Sequence, residues 1–194
     1  MSGSGDVASI REILDFWFLP LGDPEHGKPQ KFWWNSTPEL DAEIRTRFSA
    51  LLDRAVAGEL DAWRRSPDGA LALILLCDQF SRNMHRRTPQ AFAGDAKALE
   101  TARHAVARHY PAAYPNDVQI FFFMPFQHSE DLGDQDFCCE LFASLGNEDN
   151  DKHAIDHRDV VAKFGRFPHR NEALDRVSTA EELDYLKTAK RFGQ

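Results

Sequence analysis

The chain has no apolar run approaching the ~18–20 residues that cross a bilayer, which excludes a membrane-spanning helix. Its opening residues, MSGSGDVASI, lack the basic start and apolar centre of a secretion signal. Cysteine is scarce: Cys77, Cys138 and Cys139 form an odd set without framework spacing, and the adjacent pair cannot easily bridge. A reduced, cytoplasmic protein without a membrane partner is the expectation. No glycine-rich phosphate loop, Gly-x-Ser-x-Gly elbow or pair of Cys-x-x-Cys units occurs. Nor is there a surplus of positive charge. The formal charge of −8 argues against a nucleic-acid partner, which calls for a basic face.

That imbalance is local. Residues 129–159 carry ten acidic side chains against Lys152 and Arg158, so the remainder is neutral. A solvated helix face explains such a stretch, and so does a surface for a basic partner.

Alternating strand patterns closed by Asn-Gly or Asp-Gly turns are also missing, whereas helical spacing is nearly everywhere. Residues 37–57 set Leu40, Ile44, Phe48, Leu51, Leu52 and Ala55 on one face. Thr37-Pro38, Ser66-Pro67 and Thr88-Pro89 pair an N-cap with proline at the first helical position. Ser178 with Glu181 fits a capping box for a last helix over 179–190. Gly146 and Gly165 stand where glycines end helices. These signals predict an all-α fold of seven or eight helices, near 7–18, 37–57, 67–83, 89–109, 116–124, 131–145, 148–164 and 179–190. One domain over 1–194 is expected, with 1–6 as a flexible lead. Short connections imply a compact array of antiparallel hairpins of tetratricopeptide type, without that repeat's full signature. "ALALILLC" (70–77) and "VQIFFFM" (118–124) are apolar on nearly every face and should lie at the centre. Small residues in "AFAGDAKALETA" (91–102) allow close helix packing, and the Pro- and Gly-rich stretch 19–35 reads as a loop pinned by Phe32-Trp33-Trp34.

Both central helices run into polar clusters. In "CDQFSRNMHRR" (77–87), Asp78/Arg82 and Gln79/Asn83 stand four apart, so two polar pairs should line one helix. In "MPFQHSEDLGDQ" (124–135), Pro125 disturbs the helix. Ser129 can cap the next one, with Glu130 and Asp131 complementing its dipole; Gln127 and His128 are left without a role. The third cluster, "KFGRFPHRNEAL" (163–174), follows a helix end with Arg166, His169, Arg170 and Asn171. Buried polar groups without partners cost ~1–3 kcal/mol, so an internal bonding network is one explanation for all three. A shared cleft is the other. There Arg82, Asn83, Gln127, His128, Arg166, His169 and Arg170 would bind a ligand, and His128 or His169 would move protons beside Glu130 or Asp78.

"HAIDH" places His153 and His157 four apart, a spacing that can supply two metal ligands. Ala154 stands where metalloprotease helices carry glutamate, so no cofactor is expected, with these two histidines the secondary candidates for a metal.

"LALILLCDQFSRNMHRRTPQAFAGDAKAL", "FFFMPFQHSEDLGDQ" and "KFGRFPHRNEALDRVSTAEELDYL", with "ILDFWF" near the start, together resemble the domain-of-unknown-function 924 family. The resemblance spans essentially the whole chain and implies an all-α fold related to tetratricopeptide-like arrays. It implies no reaction or ligand. Its signature blocks coincide with the three polar clusters. The first functional expectation is a cytoplasmic helical binding module with an arginine- and histidine-lined pocket for a peptide or small anionic molecule. The alternative is a hydrolase-type enzyme, metal-assisted or not, using His128 or His169 with Glu130 or Asp78.

Overall fold

The computed structural model describes residues 3–189. Among them there is no strand, only one isolated bridge between Leu21 and Asp23, and the fold is all-α. Helix α1 (Gly3–Phe18) starts ahead of the expected residue 7 and buries Ile13, Leu14, Trp17 and Phe18. A loop follows, in which the indole N–H of Trp33 donates to the Trp17 carbonyl at 2.9 Å. Trp33 and Phe18 then meet Phe121 edge-on, with ring centroids 5.0 and 5.3 Å away, so aromatics do pin this loop.

Helix α2 (Pro38–Val56) is capped by Thr37, whose side chain accepts from the Leu40 N–H, and it buries Ile44, Phe48 and Leu52. Ser66 caps α3 (Pro67–Ile74) in the same way. This helix continues without a break through a π-helical segment (Leu75–Phe80) into α4 (Ser81–Met84). Every residue from 69 to 84 is buried, because α1, α5 and α6 pack around α3 while α2 packs on the π segment and α4. The central position expected from "ALALILLC" is thus what the fold provides.

Thr88-Pro89 starts only a short 3-10 turn (Pro89–Phe92), and α5 (Asp95–Ala107) begins after Gly94. A Cβ on Gly94 would lie 2.3 Å from the Cys77 carbonyl oxygen, so glycine permits the close crossing of α5 over the central helix. Ala98, Ala102 and Ala105 extend that seam without exposure.

Helix α6 (Asn116–Gln127) is the second central helix. Pro125 removes an N–H from its last turn, yet the helix runs on to Gln127. Helix α7 (Leu132–Ala143) packs between α6 and α8 (Glu148–Phe164). The cap of α7 is Asp131, which accepts the Asp134 N–H at 3.0 Å; Ser129 instead donates to the Asp134 carboxylate. Gly165 ends α8 at φ +70°. The last helix, α9 (Ala180–Leu186), has its capping box on Thr179 and Glu182, one residue beyond Ser178 and Glu181. The expected end of that helix, Lys190, and residues 1 and 2 of the expected lead lie outside the described residues. No helix among the described residues is long and apolar enough to cross a membrane.

Candidate active-site pocket

The π segment determines how the first cluster is displayed. The Ser81 N–H reaches back five residues to the Leu76 carbonyl, which widens the turn and shifts the register of side chains. Asp78 and Arg82 still meet, at 3.0 Å, because the arginine stem is long. Gln79 and Asn83 do not pair. The Gln79 amide donates to Asp78 at 2.6 Å, and the Asn83 amide donates to Ser36 at 3.0 Å and Asp41 at 2.7 Å.

Asp78 is 1% exposed and gathers the centre of the site. Its carboxylate accepts from Nδ1 of His128 at 2.7 Å, from Gln79 and from Arg82. Burial alone would push the carboxyl up, but the Arg82 guanidinium and the His128 ring outweigh it and hold Asp78 below the ordinary carboxylate range. His128 caps the C-terminus of α6. Burial depresses its imidazole below the ordinary value; Asp78 opposes this, while Arg82 and Arg170 add to it. His128 is therefore a neutral ring whose Nδ1–H is committed to Asp78. Its Nε2 carries the lone pair and meets no hydrogen-bonding partner among the described residues.

His128 stands on the wall of a pocket of about 600 Å³. Gln79, Arg82 and Asn83 line it from the central helix, Arg86 from the turn after it, and Gln127 from α6. Asn150, His153 and His157 line it from α8. The apolar lining comes from Trp33, Trp34, Ile120, Met124 and Phe142. Trp34 is 53% exposed and stacks on Phe121 at an interplanar angle of 11°. The arginines lining this pocket are already neutralised: Arg82 by Asp78 and Asp95, Arg86 by Asp41.

His153 and His157 both line this pocket. His157 is buried, and its Nδ1 donates to the His153 carbonyl at 2.7 Å, the bond that i, i+4 geometry offers. No group of three or more His, Cys, Asp or Glu side chains suited to a metal occurs among the described residues. The same Nδ1 lies 3.1 Å from the Gln127 amide nitrogen Nε2.

Behind His128 lies a second, smaller pocket of about 190 Å³, lined by Asp78, Asp95, Glu130 and Arg170 among others. Arg170 donates to the His128 carbonyl at 2.9 Å and faces Asp95 at 3.5 Å. Burial and the Arg82 charge lower its guanidinium to about 10, still cationic at neutral pH. Glu130 accepts the Phe167 N–H at 2.8 Å and a two-pronged bond from Arg176 at 2.7 and 3.0 Å. Arg166 is elsewhere: it grips Glu182 at 2.6 and 2.8 Å and the Val177 carbonyl at 2.9 Å, fastening the final segment. Asn171 joins this clasp through Ser178, Glu182 and Arg176. His169 packs against Phe167, with ring centroids 5.4 Å apart, and lines neither pocket.

The fold thus brings Arg82, Asn83, Gln127 and His128 to one pocket and Asp78, Glu130, Arg170 and His128 to the other. Arg166 and His169 stay in the surrounding framework. A bonded network among these clusters forms part of the wall of the pocket. Sequence reasoning missed Asp95, Arg176 and Glu182 as partners, and Trp33 and Trp34 as pocket lining. The Trp pair, in an otherwise polar loop, was the available signal.

A comparison with curated proteins finds no match. The chain is similar to the solved structure of a protein of unknown function from Agrobacterium tumefaciens, at 38% identity and a TM-score of 0.85. That match covers 94% of this chain and 99% of the other. Residues 13–190 match the family described as bacterial protein of unknown function, DUF924. With that span matched over nearly its whole length, the chain belongs to the DUF924 family.

Proposed function

We propose that the protein binds a small, largely neutral organic molecule in the pocket bordered by Trp34, Asn83, Gln127 and His128. One observation carries the reading: a single pocket joins an apolar, tryptophan-bearing side to a side of amides and a neutral imidazole. Its volume, about 600 Å³, falls within the range of small-molecule sites, ~300–1,000 Å³. Charge favours a neutral ligand over an anion, because Asp78, Asp95 and Asp41 already answer the guanidinium groups of Arg82 and Arg86. A small ligand is likewise favoured over a peptide by the pocket's dimensions. The reading needs no cofactor. It fits a cytoplasmic protein, where Cys77, Cys138 and Cys139 stay as free thiols.

Thermal melting against a panel of neutral aromatic and aliphatic alcohols, amides and esters tests the reading. A ligand at 100 times its Kd adds ~2.7 kcal/mol, or a shift of about 5–11 °C for a chain of this size. The hit should also quench tryptophan emission through Trp34. Shifts given only by strong anions would contradict the neutral-ligand reading.

A further inference from the structure

We propose that the pocket is a hydrolytic active site in which Asp78 and His128 form a general-base dyad acting on a bound carboxylic ester. The inference rests on the small-molecule reading above and adds the chemistry. Three features single out His128 among the pocket's groups. Its Nδ1–H is fixed on a buried carboxylate at 2.7 Å, which sets the tautomer. Its Nε2 meets no hydrogen-bonding partner among the described residues. The ring borders the same space as the amides of Gln127 and Asn83 and the apolar side chains. An imidazole held by a carboxylate on one nitrogen, with the other presented to substrate, is the arrangement that accepts a proton.

The side chains also decide the nucleophile. Among the described residues the His128 ring bonds to no hydroxyl or thiol. Ser129 is committed to Asp134 and Ser36 to Asp41, and burial pushes the Cys77 thiol up to about 12. Water is therefore the attacking group. Nε2 of His128 takes one proton from it as the water oxygen bonds to the acyl carbon. The C–O bond to the alcohol then breaks, and Nε2–H returns the proton to the departing oxygen, so acid and alcohol leave and His128 is neutral again. Asp78 stays ionised throughout and stabilises the transient imidazolium. Gln127 lines the pocket with its amide nitrogen beside His157, and the second N–H of that group is the donor suited to the acyl oxygen; Trp33, Trp34 and Met124 suit an aryl or medium-length apolar arm. An ester is favoured over an amide because general-base help contributes ~10²–10⁴-fold, which suits a bond with a good leaving group.

The test is hydrolysis of p-nitrophenyl acetate and p-nitrophenyl phenylacetate by the purified full chain, followed by release of nitrophenolate. Three versions are compared: wild type, His128→Asn, whose amide can still donate to Asp78, and His109→Asn at an exposed left-handed position. Saturable hydrolysis is expected, lost at least 100-fold in His128→Asn and unchanged in His109→Asn. Its kcat/KM should rise with pH and level off below the ordinary histidine value. Circular dichroism and melting of His128→Asn separate loss of chemistry from loss of fold; should that variant unfold, the pH profile and Gln127→Ala in the folded protein carry the test. Equal rates in wild type and His128→Asn, or no rate above buffer, overturn the dyad. Esters that raise the melting temperature without being hydrolysed leave the binding reading standing, whereas esters that do neither remove both for this ligand class.

Discussion

Acidification from pH 7 to 5 should destabilise this protein steeply, through His157 and His169. Both rings are lowered to about 3. For His157, burial is the main cause, with His128, His169 and Arg170 adding to it against the His153 carbonyl. Burial also leads for His169, reinforced by Arg170 and His128 and opposed by Glu130. In the unfolded chain each ring takes up a proton below ~6.5, whereas in the folded chain each stays neutral until near pH 3. Between these values the unfolded state binds more protons, so stability rises with pH and is lost as pH falls. At pH 5 each ring costs ~2 kcal/mol, being 1.36 kcal/mol for each unit below 6.5, and the two together cost ~4 kcal/mol. His85, His104 and His128 are depressed as well and act in the same direction. Carboxylates add little in this window, because the unfolded chain protonates them mainly below pH 5. Against a total stability of ~5–15 kcal/mol the loss is large, equivalent to about 8–16 °C in Tm. The assay is thermal melting by circular dichroism at pH 7, 6 and 5 at constant ionic strength. In the double variant His157→Asn with His169→Gln, most of the slope should vanish even if its stability at pH 7 is lower. A double variant that keeps the full wild-type slope would refute the assignment to these rings.

Other substitutions probe separate parts of the structure. Asp78→Asn removes the carboxylate facing Arg82 and His128 in the interior and should destabilise by ~3–5 kcal/mol, measured by urea denaturation. Gly94→Ala drives a methyl group to 2.3 Å from the Cys77 carbonyl and should cost ~1–3 kcal/mol or more, read as a lower Tm. Glu182→Gln weakens the clasp to Arg166 and the Thr179 cap. Because Arg166 holds the Glu182 carboxyl at about 2, its contribution is present above ~4.3 and lost as pH falls through that lower value. The variant should melt earlier than wild type at pH 7, and the gap should close as the pH approaches 2.

Helix placement was legible because caps and breakers act locally. Thr37-Pro38, Ser66-Pro67 and Gly165 each fix an end through bonds within a few residues. Where two residues could do the same local job, the choice went to tertiary contacts. Ser178 with Glu181 and Thr179 with Glu182 fit one pattern equally, but Asn171 takes Ser178, and Arg166 draws Glu182 inward. Asp131 displaces Ser129 as a cap because Ser129 bonds the Asp134 carboxylate. The π segment had no local signal, since it depends on packing against neighbouring helices, and it broke the expected Gln79/Asn83 stripe. Within the site, Asp78/Arg82 was readable from spacing, whereas His128 on Asp78 joins residues fifty apart. Arg166 resembled a ligand anchor in sequence because nothing local shows that Glu182, sixteen residues on, would claim it.

The most direct test of the pocket titrates a ligand found by thermal melting against Gln127→Ala, Trp34→Ala and Arg166→Ala, following tryptophan emission for Gln127→Ala and Arg166→Ala and calorimetry for all three. The account predicts Kd weakened at least tenfold by Gln127→Ala and Trp34→Ala. Arg166→Ala should melt earlier yet bind as wild type does. Binding lost in Arg166→Ala while Gln127→Ala and Trp34→Ala keep full affinity would move the site to the C-terminal clasp and contradict the account.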